Sequence, residues 1–258
     1  GVAIVVTARD DAAIAARLAD EIAAFIWDSR DDYVKSLTPF AKAIEIALDT
    51  GRKPVIFADS GDNPGGGGSG RTTGLLSALL ASDAKNILYG SFFDPALARD
   101  AHAKGTGAIF TAVFNQDRND TPWEQWDEWF GVEAKVIGLH DGEIVGRLGM
   151  MAGRKLSLGP CALLEIAGVK TVVISERAQT ADPVFFEMFD QDIAAAHTVI
   201  VKSRGHFRAG FAPLFEGANI YEIDTVGLTS PVLSRWDFKN VPQPSFPFQT
   251  KAEWKRYR

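Results

Sequence analysis

The chain has 258 residues, of which 46% are hydrophobic and 23% charged, with a formal net charge of −6. That balance supports a sizeable folded core and excludes wholesale disorder, and its acidity disfavours a general nucleic-acid binder, which would show a basic face. No apolar stretch reaches the ~20 residues of a membrane-spanning helix, and Cys161 is the single cysteine, which rules out an intramolecular disulfide and a cysteine-rich zinc site and fits a cytoplasmic location.

Val2–Thr7 is continuous and rich in β-branched residues, and is expected to form a short buried strand. No basic stretch precedes it, so it does not read as a signal peptide. The abrupt start at Gly1-Val2 suggests a piece of something longer. Asp10 or Asp11 can cap a following helix, Ala12 to Trp27, whose residues Ile14, Leu18, Ile22, Phe25 and Ile26 recur at helical spacing. A second helix is expected from Pro39 to Leu48, with proline in its first turn and Gly51 beyond its end. Strand Pro54–Ala58, loop Asp59–Arg71 and helix Thr72–Leu80 follow. Asn86–Tyr89 reads as a strand, Pro95–Lys104 as a helix and Ala108–Phe114 as a strand.

This alternation predicts an α/β fold: an open, mostly parallel sheet with helices on both faces. The middle breaks the pattern. Glu133–Leu139 and Glu143–Arg147, joined by His140-Asp141-Gly142, read as a hairpin with an Asp-Gly turn. Cys161–Ile166 and Thr171–Ser175 add strands around Gly168. An antiparallel extension is therefore expected over 131–176 within a single domain, 1–258. The α/β pattern returns with helix Phe185–Phe189, strand Thr198–Lys202, helix Gly205–Phe215 and strand Ile220–Ile223. The proline-rich tail Val241–Phe248 is expected to be extended.

Two loops carry the chemistry. The first is Ala58-Asp59-Ser60-Gly61-Asp62-Asn63-Pro64-Gly65-Gly66-Gly67-Gly68-Ser69-Gly70-Arg71-Thr72-Thr73. It follows a strand and precedes a helix, the place where open α/β sheets bind ligands. Its glycines allow positive φ and close backbone approach, and exposed N–H groups near a helix N-terminus can receive an anion. Gly65 to Thr72 satisfies the P-loop spacing, but Arg71 stands where a P-loop needs lysine, and arginine is no simple substitute for that compact charge. The G-x-G-x-x-G match of Gly65, Gly67 and Gly70 is one that any glycine run would give. An alternative to an enzyme is therefore an anion- or nucleotide-binding module using Gly65–Thr72.

The second loop is Val201-Lys202-Ser203-Arg204-Gly205-His206-Phe207-Arg208-Ala209-Gly210-Phe211. Lys202, Arg204, His206 and Arg208 place cationic and hydrogen-bonding groups at a helix start, suited to a carboxylate or phosphate. His206 can also carry a proton or ligate. A solvated basic turn, with Phe207 and Phe211 as ordinary core, is the plainer alternative.

Together, Ala58–Gly67 and Lys202–Arg208 resemble the C-terminal domain of the MlrC family, named for microcystinase C. Leu158-Gly159-Pro160, Asp224–Ser230 and Pro242–Pro247 resemble further shared segments in the same order. The resemblance implies the substrate-side part of a zinc-dependent peptidase or amide hydrolase. Its zinc ligands and general base would lie in an N-terminal domain absent from this chain, which would be its partner along with a peptide or amide substrate. Asp59, Asp62 and His206 are then the catalytic candidates. Asn63, Gly65, Gly66, Gly67, Lys202 and Arg208 are candidates for binding the substrate or its carboxylate. Consistent with this division, His102, His140, His197 and His206 are the only histidines and include no close pair at ligand spacing. A zinc site from Asp59 or Asp62 with His206 is the competing arrangement.

Two features depart from the family pattern. Arg71 stands where relatives are expected to have an acidic residue, and Asn115–Asp120 lacks a Gly-Gly-Lys-like turn. The latter leads into Trp123, Trp126 and Trp129, which would form either an amphipathic helical turn pinned to the body or an aromatic lid or homo-oligomer contact. A catalytically inactive oligomeric scaffold is the remaining alternative.

Overall fold

A computed structural model describes residues 2–34, 36–51, 54–242 and 245–248. The chain divides into two compact units, Leu37–Pro231 and Gly1–Ser36 with Val232–Arg258. The second contains helix α1, Ala12–Asp28, started by Asp11, whose carboxylate accepts the Ile14 N–H at 2.8 Å. Val2–Thr7 forms no strand here. A β-branched run becomes a strand only with a neighbour to bond, and no ladder among the described residues takes this one in. Phe246 to Phe248 form a turn with a cis Phe246–Pro247 bond, so that end of the proline-rich tail is not extended; Gln243 and Pro244 lie outside the described residues.

The larger unit begins with helix α2, Phe40–Leu48. Strand β1, Val55–Asp59, follows, then α3, Gly74–Leu80, β2, Ile87–Phe93, α4, Pro95–Lys104, and β3, Ile109–Phe114. Next come β4, Phe130–His140, β5, Glu143–Val145, β6, Lys155–Ser157, β7, Cys161–Ile166, and β8, Val169–Ile174. The unit closes with the short helix α5, Val184–Glu187, β9, Thr198–Val201, the short helix α6, Phe207–Phe211, and β10, Ile220–Ile223.

Eight strands form one sheet in the order β10-β1-β9-β2-β8-β7-β4-β3. β10, β1, β9, β2 and β8 run parallel; β7, β4 and β3 continue the sheet antiparallel. The antiparallel extension exists, but its pairing differs from the expected hairpin. β4 is taken up between β3 and β7, and β5 pairs with β6 in a separate two-stranded ribbon. The Asp-Gly turn thus separates two sheets. Leu139 and His140, at the end of β4, are committed to β7 before that turn begins.

Both sheet faces are covered, and side chains sort by the two-residue period of a strand. From β1, Val55 and Phe57 join one apolar cluster with Ala43 and Ile46 of α2, Leu76 and Leu79 of α3 and Leu97 of α4. Ile56 and Ala58 join the other with Phe185 and Phe186 of α5 and Phe207 and Phe211 of α6. All five residues of β1 are buried, the mark of a strand inside a parallel sheet covered on both sides. No helix among the described residues is long and apolar enough to cross a membrane.

Candidate functional site

β1 and β9 are adjacent and parallel, with Ala58 opposite Val201, so the next residues, Asp59 and Lys202, stand at the same end of the sheet. β10 flanks β1 on the other side with Ile223 opposite Asp59, which brings Thr225 and Thr229 to that end as well. The two loops singled out in the sequence therefore meet at the carboxyl ends of neighbouring parallel strands.

Their meeting point is a buried ion cluster. Lys202 Nζ donates to Asp62 Oδ2 at 2.7 Å, Asp59 Oδ2 at 3.0 Å, and the carbonyl and hydroxyl of Thr72 at 3.1 Å each. All three charged residues are fully buried. An ammonium has three N–H groups, so these partners leave none for a substrate carboxylate. Burial alone would favour the neutral amine, but Asp59 and Asp62 outweigh it and hold Lys202 well above its ordinary value. Burial likewise works against ionising Asp62. The Lys202 ammonium and the N–H groups of Thr72 and Gly70 overcome it and keep Asp62 below the usual carboxylate range. Asp59 moves the other way, raised by burial and by the charge of Asp62 despite Lys202 and the Thr225 hydroxyl, which donates to its Oδ1 at 2.6 Å.

Asp62 also shapes the glycine-rich loop. Its two oxygens accept the Gly70 N–H at 2.7 Å, the Thr72 N–H at 2.8 Å and the Thr72 hydroxyl at 3.0 Å. Asn63 does the same one step outward. Its side chain accepts the Gly65 N–H at 3.0 Å, and its carbonyl accepts those of Gly66 and Gly68 at 2.9 Å. The Gly67 N–H goes to Pro64 O at 3.1 Å. The donors that would cradle an anion are thus already bonded within the loop, although Gly65, Gly66 and Gly67 themselves are exposed. Gly68 has no room for a side chain, since a Cβ there would stand 2.7 Å from Asn63 N and 2.8 Å from Asp62 Oδ1.

On the outer side lies the segment after β3. Arg71, the residue that replaces the P-loop lysine, turns away from the glycines. Its guanidinium donates to Asn115 Oδ1 at 3.1 Å, pairs with Asp117 and lies 5.7 Å from the Phe93 ring. Asn115 returns the contact, donating to Arg71 O at 2.9 Å and Glu128 O at 3.1 Å. Ser69 donates to Asp127 Oδ1 at 2.9 Å. Asp127 is 1% exposed, and its Oδ2 has no hydrogen-bond partner among the described residues. Burial pushes its carboxyl up to about 6, in spite of the Ser69 bond. The tryptophan segment forms two hydrogen-bonded turns but no helix, Glu124 N–H on Thr121 O and Asp127 N–H on Glu124 O at 3.0 Å each; Trp123 and Trp129 project at 68% and 60% exposure, while the intervening Asp127 is buried.

In the β9 loop, His206 is exposed, and its Nδ1 lies 2.9 Å from Gln179 Oε1. Arg208 donates to Glu222 Oε1 at 2.7 Å, and Arg204 lies 3.8 Å from the same carboxylate. Helix α6 is only Phe207–Phe211, with both phenylalanines buried as core. Of the sequence candidates, Asp59, Asp62 and Lys202 come into direct contact. Asn63 holds the exposed turn of Gly65–Gly67 beside them, while His206 and Arg208 find separate partners. Thr225 and Thr229 lie inside the Asp224–Ser230 segment already noted for its resemblance. Gln179 and Asp127 carry no motif and are not legible as site residues in the sequence; Ser69 lies within the glycine-rich loop, but nothing in its spacing marks it as the link to Asp127.

Among the described residues no group of three or more His, Cys, Asp or Glu side chains is arranged to hold a metal ion. The donor chemistry agrees, since both inner carboxylates already share the Lys202 ammonium. These residues do not by themselves fit a zinc ion.

The family model described as MlrC C-terminus matches residues 57–240, a span that includes both loops. Microcystinase C from Sphingomonas sp. is 30% identical over 175 residues, covering 68% of this chain and 33% of its own length. A crystal structure of a proposed metallopeptidase from Mesorhizobium sp. BNC1 superposes with a TM-score of 0.77 at 21% identity, covering 95% of this chain and 47% of that one. The chain thus spans about a third of the one relative and about half of the other.

Proposed function

Because the chain belongs to the MlrC C-terminus family, we propose that it is the substrate-side portion of a zinc-dependent peptidase or amide hydrolase. In this reading the metal is held by a preceding domain of a longer protein. The observation that supports it most is the placement of both family loops on adjoining parallel strands, β1 and β9, with exposed Gly65–Gly67 and His206 at the open end.

The buried and exposed parts have different work. Asp59, Asp62 and Lys202 act as a fixed internal anchor that holds the glycine loop in one shape. Gly65, Gly66 and Gly67 supply a rim without side chains, along which an extended peptide can pass close to the backbone. Arg208, half-buried against Glu222, holds the second loop rather than gripping a substrate directly. The zinc would supply the activated water and polarise the amide carbonyl; no ligand for it is assigned among this chain's described residues.

The test is hydrolysis of linear peptides by the full-length protein, with and without a chelator, beside the 258-residue chain alone. The proposal expects chelator-sensitive cleavage by the full-length protein and none by the chain. Cleavage by the isolated chain that survives chelation would contradict it.

A further inference from the structure

The four histidines of this chain are held in different ways. His102 Nε2 lies 2.9 Å from Cys161 O, and His197 Nε2 lies 3.0 Å from Asp49 O. A carbonyl can only accept, so both rings carry their proton on Nε2. His140 Nδ1 accepts the Gly142 N–H at 2.9 Å, which leaves the proton of the neutral ring on Nε2 again; Asp141 Oδ1 lies 3.2 Å from that Nδ1. His206 is the reverse. Its Nδ1 faces the Gln179 amide oxygen at 2.9 Å, also an acceptor only, so the proton must sit on Nδ1.

Gln179 is itself fixed. It is 6% exposed, with its amide nitrogen donating to Ser203 Oγ at 2.8 Å and its oxygen toward His206. Ser203 is fully buried and directly follows Lys202 of the ion cluster. The same oxygen abuts the glycine loop, for a Cβ at Gly65 would stand 2.3 Å from Gln179 Oε1. One buried amide therefore touches both loops and orients the one histidine at their rim.

We propose that Gln179 is a positioning residue that fixes exposed His206 as the Nδ1–H tautomer. Nε2 is thereby presented unprotonated, as an acceptor for a proton or for an N–H or O–H group of a bound ligand. A histidine oriented through its other nitrogen is the usual way to prepare a base or a ligand. The inference rests on the hydrogen-bond geometry and stands apart from the metallopeptidase reading, so either can fail without the other.

Long-range nitrogen–proton correlation spectra of the 15N-histidine-labelled chain test it, recorded where the imidazoles are neutral. His206→Asn identifies the His206 signals, and His102 and His197 serve as internal Nε2–H references. The expected result is an Nδ1–H ring for His206, lost to an Nε2–H or mixed ring in Gln179→Leu. Gln179→Glu, whose carboxylate also only accepts, should keep Nδ1–H and covers the case in which the leucine variant fails to fold. An Nε2–H ring for His206 in the unaltered chain would overturn the proposal, because the Gln179 amide would then face the other way. An Nδ1–H ring that persists in folded Gln179→Leu would overturn the role of Gln179.

Discussion

Asp62 and Asp127 are both buried carboxylates that touch Ser69 of the glycine-rich loop, yet their environments push them in opposite directions. Asp62, on the inner side, is met by an ammonium, two backbone N–H groups and a hydroxyl. Asp127, on the outer side, has the Ser69 hydroxyl on one oxygen and no hydrogen-bond partner on the other. Burial costs each of them the hydration of its charge, and only Asp62 recovers it through matched donors. The loop is clamped from within by a matched ion cluster and met from without by a buried carboxylate with one oxygen unmatched.

The largest break in this comparison should come from the inner clamp. Lys202→Met leaves two buried carboxylates without their cation, and losing one partner of a buried pair costs about 3–5 kcal/mol. Urea unfolding should show that loss or a chain that no longer folds. A change within a few tenths of a kcal/mol would mean that the cluster is not the anchor. Next in size is Gly68→Ala, where the added carbon meets Asn63 N and Asp62 Oδ1 below 3 Å. Overpacking of this kind costs about 1–3 kcal/mol, readable as a lower melting temperature, whereas Gly67→Ala meets no atom within 4 Å and should cost only the strain of its positive φ.

The outer side is tested by pH. Asp127 has its folded-state value raised to about 6, so in that region the folded protein binds a proton that the unfolded chain has released. Its contribution is therefore intact below the unfolded value near 4 and lost as pH rises through about 6. Stability of the unaltered chain should fall across that window relative to Asp127→Asn, so the difference between the two should slope with pH. Parallel stability profiles would remove the contrast with Asp62, whose lowered value places its own loss on the acid side. The smallest effect belongs to Arg208→Ala. Its pair with Glu222 is partly solvated, and such pairs contribute about 0–1 kcal/mol, so thermal unfolding should barely move.

Much of the fold could be read from period and punctuation. Proline at the start of α4 and the unbroken apolar run of β1 specify local structure that packing then accepts. The errors fall where a segment's fate depends on distant partners. Val2–Thr7 has strand composition but no neighbour to bond, and β4 has hairpin punctuation but is taken up by β3 and β7. The site divides in the same way. Asp59, Asp62 and Lys202 announced themselves by lying in long motifs, but their burial did not, because a charged residue read alone suggests solvent or ligand. Gln179 and Asp127 have neither motif nor spacing. Their parts come from reaching across from segments 24 and 58 residues away to Ser203 and Ser69.

Asp59 and Asp62 are spent on Lys202, and under the proposed function a catalytic zinc is held outside this chain. The most direct test is the metal content of the purified 258-residue chain, by mass spectrometry after dialysis against trace zinc. The account predicts no stoichiometric metal. One tightly held zinc per chain, lost in Asp62→Asn or His206→Asn, would contradict it, since the ion could bind there only by displacing the ammonium that Asp59 and Asp62 now share.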